Sequence, residues 1–209
     1  MSTREDQAFT HILSAFPELK APLSAVGVLS LPSAKQFSVA DAVTKTVIGQ
    51  MLSRHAAGII YERVEKLSIE KGLSGAWKLS IDELSGLGVS GRKARTITEF
   101  GRDYDQAPSA YEAWREMSYE DVVKEVSKHW GLSTWSADIL SIFYFGFEDV
   151  FPEKDGTLQK AVTLINQRYY GKTKFDQYKA SPYKTYLSLY LWAMVDQGVL
   201  SETFSDIKI

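Results

Sequence analysis

The chain has 209 residues, 44% of them hydrophobic, with a formal net charge of −2, enough apolar content to bury a core in one compact domain or two closely packed lobes and too much for a disordered chain. The slightly acidic balance excludes a protein that coats nucleic acid by bulk charge, while leaving room for a local basic face. The absence of cysteine excludes disulfides, a cysteine nucleophile, cysteine-bound zinc and iron–sulfur clusters, and leaves only the scattered His11, His55 and His129 as nitrogen ligands, so no dedicated metal site is expected.

Apolar positions recur three and four residues apart, as at Val43, Val47, Ile48, Met51 and Leu52, and period-two alternation is rare. The expected fold class is therefore all-α. Helices are predicted near 4–17, 39–53, 55–70, 80–86, 91–103, 109–116, 118–128, 134–145, 156–169 and 182–197. Residues 18–37, with Pro17 just before them and Pro22 and Pro32 within, are read as an irregular connection. Three helix starts show a serine followed three residues later by an acid: Ser38 with Asp41, Ser80 with Glu83, and Ser118 with Asp121. The opening residues lack a charged-then-apolar signal, and the longest apolar stretch, around Ile139–Phe147, is too short to span a bilayer. An intracellular monomer with no membrane partner is the expectation, cytoplasmic if bacterial and nuclear if eukaryotic.

Two successive helix pairs echo one another. Ser80-Ile-Asp-Glu-Leu84 opens the first and Ser118-Tyr-Glu-Asp-Val122 the second, and the first continues Gly88-Val-Ser-Gly-Arg-Lys-Ala-Arg-Thr-Ile97 where the second continues Gly131-Leu-Ser-Thr-Trp-Ser-Ala-Asp-Ile-Leu140. Both have the form G-h-S-x-x-x-A-x-x-h, with h apolar. A helix ends, a glycine turns the chain with its apolar neighbour tucked inward, and a new helix begins with a small alanine against its partner. The N–H groups and positive dipole end of such a helix suit a phosphate oxygen. Gly131, Ser133 and Thr134 of the second hairpin are therefore candidate DNA contacts, as are Arg92 and Lys93 of the first. Each turn taken alone is also an ordinary interhelical connection, and the basic residues are also an ordinary solvated helix start.

The run Trp130-Gly-Leu-Ser-Thr-Trp-Ser-Ala-Asp138, then Ile142-Phe-Tyr-Phe-Gly146, then Asp149-Val-Phe-Pro-Glu-Lys-Asp155-Gly-Thr-Leu-Gln-Lys160 resembles the core signature of the helix-hairpin-helix DNA glycosylases. That signature is a hairpin of the type L-P-G-I-G-x-W-T-A, a helix ending in an L-G-like turn, and D-x-F-P-x-x-D-x-x-L-x-K. Thr46–Ser53 with Ala56 and Ala57 resembles the family's I-x-x-Q-x-x-S-x-x-A-A helix. Leu87–Ile97 is similar to its L-G-x-s-x-x-K-A segment, and Pro182–Trp192 to its closing P-x-R-S-x-A-x-x-x-L-W helix. The resemblance covers roughly residues 39–195. It departs at Ser133 for the second hairpin glycine, Trp130 for the usual proline and Ala180 for a tryptophan.

The resemblance implies a compact helical bundle of two lobes, residues 39–145 with the hairpin near 129–134, and residues 1–38 with 146–209, with the active site in the cleft between them. Trp135 stands where members that cut the DNA strand carry a Schiff-base lysine. The resemblance is therefore to the alkylpurine branch typified by 3-methyladenine DNA glycosylase II, and implies excision without lyase activity. It makes Asp155 the catalytic carboxylate, and Asp155 directly before a helix start would meet backbone N–H groups and the positive dipole end. An aspartate there is equally an ordinary helix cap. The implied partner is double-stranded DNA with damaged bases or abasic sites. The implied base-flipping wedge is Met51, which also lies on the apolar stripe of Val47 and Ile48 and reads as core, with Gln50 beside it either on the orphaned base or on a local polar group. Trp135 and Tyr144 are the candidate base pocket, because electron-rich rings attract cationic alkylated purines. Phe143, Phe145, Tyr186, Tyr190 and Trp192 read as core, with a share in that pocket as the alternative. No cofactor is expected beyond a monovalent cation at hairpin carbonyls. The alternative, suggested by Ser133 and Ala180, is a protein of the same fold that grips lesions or abasic sites without turnover.

Overall fold

The computed structural model describes residues 3–32, 36–171 and 173–200. Eleven α-helices and no strand occur among these residues, and none of the helices is long and apolar enough to cross a membrane. The chain forms two compact units, one of Met1–Pro32 with Gly146–Ile209 and the other of Ser33–Phe145.

In the first unit, α1 (Arg4–Ala15) opens with a reciprocal cap in which Thr3 Oγ1 accepts from Asp6 N at 3.1 Å and Asp6 Oδ2 accepts from Thr3 N at 3.0 Å. A 3₁₀ turn at Pro17–Leu19 leads into α2 (Lys20–Val26). The expected irregular connection is thus corrected: its first part is helical, and residues 33–35 lie outside the described residues. Pro17 and Pro22 both stand in first turns, where the missing N–H would have had no helical partner. Ala8, Ile12, Leu19 and Leu23 pack with Leu158 and Ala161 of α10 (Gly156–Ile165) and with Leu187, Leu191 and Met194 of α11 (Lys184–Asp196). The peptide bond before Pro182 is cis.

The second unit is built round α3 (Val39–Gly49), whose Ala42, Val43, Val47 and Ile48 are essentially inaccessible to solvent. It packs against α4 (Arg54–Glu70), α6 (Gly91–Gln106) and α9 (Thr134–Leu140). The remaining helices are α5 (Ile81–Gly86), α7 (Pro108–Glu112) and α8 (Tyr119–Ser127). All three predicted caps form, with Asp41 N, Glu83 N and Asp121 N donating to Ser38, Ser80 and Ser118 Oγ at 3.0, 3.2 and 3.2 Å. The echo is a structural repeat. α5–α6 and α8–α9 are each joined through a left-handed glycine, Gly88 (φ 100°) or Gly131 (φ 80°), with Val89 and Leu132 turned inward and Ala94 and Ala137 buried.

The helix predicted to residue 53 runs on too far, since α3 stops at Gly49, whereas the helices begun at Thr134 and Gly156 end within a residue of expectation but widen into π-helical turns at Ser141–Phe145 and Asn166–Tyr170. The Ser141–Phe145 turn is pinned by Arg115. Its Nη1 donates to Tyr144 O at 3.0 Å, and its Nε pairs with Glu112 Oε2, also at 3.0 Å.

In the first unit, the loop before α10 is tied to the start of α11 by Thr185. Its Oγ1 donates to Phe147 O at 2.7 Å and accepts from Val150 N at 3.0 Å, while its N–H reaches Glu148 O at 2.9 Å. Thr185 is fully buried, and Thr185→Val removes the acceptor of Val150 N and the Oγ1 bond to Phe147 O. The variant is expected to lose about 2–3 kcal/mol of stability in urea unfolding; an unchanged midpoint would show that the loop is held by other contacts.

Candidate active site

The loop fixed by Thr185 ends in a tight turn, Asp155 N donating to Pro152 O at 3.0 Å, and delivers Asp155 in extended conformation at the N-cap of α10. Asp155 Oδ1 accepts from Thr157 N, Leu158 N and Trp192 Nε1, each at 3.0 Å. Two donors are N–H groups that α10 cannot satisfy itself. The third comes from α11, so the carboxylate is oriented by a helix end and by an indole of another helix. From the sequence Trp192 reads as core or as part of the aromatic pocket, not as a partner of Asp155. The signal that could have found it is its place as the last residue of the closing-helix pattern, 37 positions from Asp155. Glu153 and Lys154 are exposed.

In the second unit, the chain leaves α3 through a type II turn, Gly49–Leu52. Gln50 has φ −53° and ψ 129°, Met51 has φ 58°, and Leu52 N closes the turn on Gly49 O at 3.2 Å. Met51 has the one positive φ among described non-glycine residues and is 100% exposed. The core reading of Met51 is overturned: ending the helix at Gly49 takes residue 51 off the stripe of Val47 and Ile48. The third position of such a turn favours glycine, and a side chain there costs about 1–2 kcal/mol.

Gln50 turns inward, its Nε2 donating to Gly131 O at 3.1 Å and lying 3.4 Å from Ser136 Oγ. Lys93 also differs from expectation. Its Nζ donates to Ile48 O at 2.9 Å and Gln50 O at 2.6 Å, and burial pushes its pKa below the ordinary lysine value. The ammonium is taken up by the end of α3 instead of standing as an ordinary solvated helix start. Arg92 and Arg95 instead lie over the ring of half-exposed Trp130, at 5.7 and 4.6 Å from its centroid.

The hairpin requires its glycine twice over. Gly131 has φ 80°, and a Cβ there would sit 2.1 Å from Thr96 Oγ1 of α6. Ser133, in the second-glycine position, is the N-cap of α9, and its N–H donates to Ser136 Oγ at 3.3 Å; Thr134 is the first residue of that helix. Gly131 O and His129 O already accept from Gln50 Nε2 and from Leu132 N. Trp135 is half-buried on α9. Tyr144 is only 7% exposed, its ring edge-on to Phe37 at 5.9 Å, and burial raises its pKa; it is chiefly packed into the unit.

A repeated helix-hairpin-helix unit, a fully exposed residue on a strained turn beside it, and an aspartate held at a helix N-cap define an all-helical protein of the helix-hairpin-helix class. No protein-family model matches the chain. By sequence it is similar to Bacillus subtilis YfjP, which carries the provisional name DNA-3-methyladenine glycosylase: 27% identity over 202 residues, 89% of this chain and 69% of that protein. By structure it is similar to the Schizosaccharomyces pombe 3-methyladenine DNA glycosylase in complex with abasic DNA, with a TM-score of 0.77, 20% identity, and 91% and 97% of the two chains covered. It is also similar to the Bacillus halodurans DNA-3-methyladenine glycosidase (TM-score 0.69, 22% identity, 99% and 94% covered) and to the Archaeoglobus fulgidus 3-methyladenine DNA glycosylase (0.68, 17%, 99% and 72%). The fold is the one these glycosylases share, and the sequence relative is similar over most of this chain.

Because Met51 is exposed and its backbone strained, Met51→Gly is expected to leave stability unchanged or raise it by up to about 1 kcal/mol, read from the urea midpoint. A loss of about 2–5 kcal/mol, the range for truncating a buried methionine, would contradict this assignment.

Proposed function

We propose that this protein is a monofunctional DNA glycosylase that excises alkylated purines of the 3-methyladenine or 7-methylguanine type from duplex DNA and leaves an abasic site. The observation that carries the reading is Asp155: an aspartate in the frame D-x-F-P-x-x-D-x-x-L-x-K, its Oδ1 held by two helix N–H groups and by Trp192. The names of its sequence relative and structural neighbours support the same reaction class.

The bond to be broken joins C1′ of the sugar to a ring nitrogen of the base. As it lengthens, positive charge develops on the sugar, and a carboxylate whose orientation is fixed beforehand stabilises that charge without reorganising. The electron pair leaves with the base, which is a good leaving group when alkylation has made its ring cationic. Water then adds its oxygen to C1′, and its proton is lost, with Asp155 the group to orient or accept it. The site supplies charge and position rather than a covalent partner, which agrees with Trp135 occupying the position of a lyase lysine.

A base inside a duplex cannot meet Asp155, so it must be flipped out. Met51, projecting fully from its turn, is the side chain proposed to fill the gap. Gly131, Ser133 and Thr134 of the hairpin, with Arg92, are proposed to face the phosphates, and Gln50 serves them by bracing Gly131. Trp135 is the proposed aromatic face for the cationic base, with Tyr144 as packed support behind it. The protein is proposed to act as a monomer.

With methylated duplex DNA as substrate, wild type is expected to release free alkylpurines, with strand breaks only after hot alkali, and Asp155→Asn to lose at least about a hundredfold in rate through loss of the charge. Trp192→Phe, which removes one of the donors to Oδ1, is expected to lower the rate by roughly tenfold while leaving DNA affinity unchanged. Strand breaks without alkali would reject the monofunctional assignment. Tight binding to abasic DNA with no release from wild type would make the protein a recognition factor and Asp155 a helix cap.

A further inference from the structure

An α-helix leaves its last carbonyls without donors. At the end of α3 these are met from another helix: Lys93 Nζ of α6 donates to Ile48 O at 2.9 Å, inside the last turn, and to Gln50 O at 2.6 Å, in the turn that follows. One ammonium therefore bridges the helix end and the type II turn, and a cation there also matches the negative end of the helix dipole. A lysine suits this place because its compact head can point donors at two neighbouring oxygens. The turn so gripped contains Met51 in a left-handed conformation that a residue with a Cβ does not adopt by preference, with the whole side chain in solvent. Nothing packs on Met51 to hold it there. The backbone must do so, and its constraints are the Leu52 N to Gly49 O bond, the Lys93 bridge, and Gln50 Nε2 on Gly131 O of the hairpin.

We propose that Lys93 is a positioning residue for base flipping: by bridging the Ile48 and Gln50 carbonyls it holds the strained turn that presents Met51 to DNA. The proposal rests on the reading of Met51 as the inserted side chain. Lys93 does not touch the nucleic acid in this scheme. Its basic head, which the sequence pattern assigns to a phosphate, works through the geometry of residue 51. Strained backbone at a functional position persists only where its surroundings over-determine it, and Lys93 supplies the charged part of that determination.

The test is a double-mutant cycle on the full chain with Lys93→Met, Met51→Ala and the combination. The probe is a duplex with a tetrahydrofuran abasic site flanked by 2-aminopurine, whose fluorescence reports unstacking as a side chain inserts and needs no base excision. Met51→Ala is expected to abolish the fluorescence rise. Lys93→Met is expected to weaken insertion by roughly tenfold or more, the loss of a charge-assisted bridge, with no further loss in the Met51→Ala background. Equal losses of affinity in both backgrounds would overturn the proposal and leave Lys93 a direct phosphate contact or a stabiliser of the fold. A full signal from Lys93→Met, whatever its unfolding midpoint, would overturn it while leaving Met51 as the wedge. A full signal from Met51→Ala would overturn the wedge reading, and the proposal with it.

Discussion

A helix cannot satisfy its own first N–H groups or its last C=O groups, and in this protein those unmet groups organise the residues to which chemistry is assigned. Asp155 answers the N–H groups of Thr157 and Leu158 at the start of α10. Lys93 answers the carbonyl of Ile48 at the end of α3. Ser133 stands at the N-cap of α9, where the hairpin turns. Each of these places joins a rigid element to a change in chain direction, so a polar side chain there is fixed by a demand of the backbone as well as by its own partners. That coupling suits the proposed reaction, in which a negative charge and an aromatic face must already be in place when the sugar becomes cationic.

The two units meet this demand differently. In the second, α3 is buried along most of its length, its end takes a half-buried ammonium on the Ile48 carbonyl, and the chain leaves through a strained turn. Met51 is the residue left exposed by that escape. In the first, the loop ahead of α10 has little regular structure and borrows order from the start of α11 through Thr185, while Trp192 near the end of the same helix reaches Asp155. One helix thereby anchors the loop at one point and the carboxylate at another, and the aspartate is held by more than its own cap.

Local signals were legible in the sequence wherever the physics is local. The caps at Ser38, Ser80 and Ser118 follow from the three-residue spacing of a hydroxyl and an acid, and the two hairpins from the repeat of glycine, apolar residue and serine. The N-cap place of Asp155 was legible for the same reason. The end of α3 was not. Val47, Ile48, Met51 and Leu52 continue a helical stripe on paper, and only the bonds from Lys93 and the closure of Leu52 on Gly49 end it at residue 49. α2 was hidden by prolines that prove to occupy tolerated first-turn positions, and the π-helical turns leave no distinctive residue pattern.

By itself, then, the sequence determined an all-helical chain, a doubled helix-hairpin-helix unit, the superfamily it resembles and the aspartate at the head of α10, because caps, turns and apolar periodicity act between residues a few positions apart. Only the tertiary structure decided which way individual side chains point: Lys93 into the end of α3, Gln50 onto the hairpin, Trp192 onto Asp155, and Met51 out into solvent. The partners in the first three pairs lie between 37 and 81 positions apart in the chain. No local pattern encodes such a pairing, and it follows from how the helices pack.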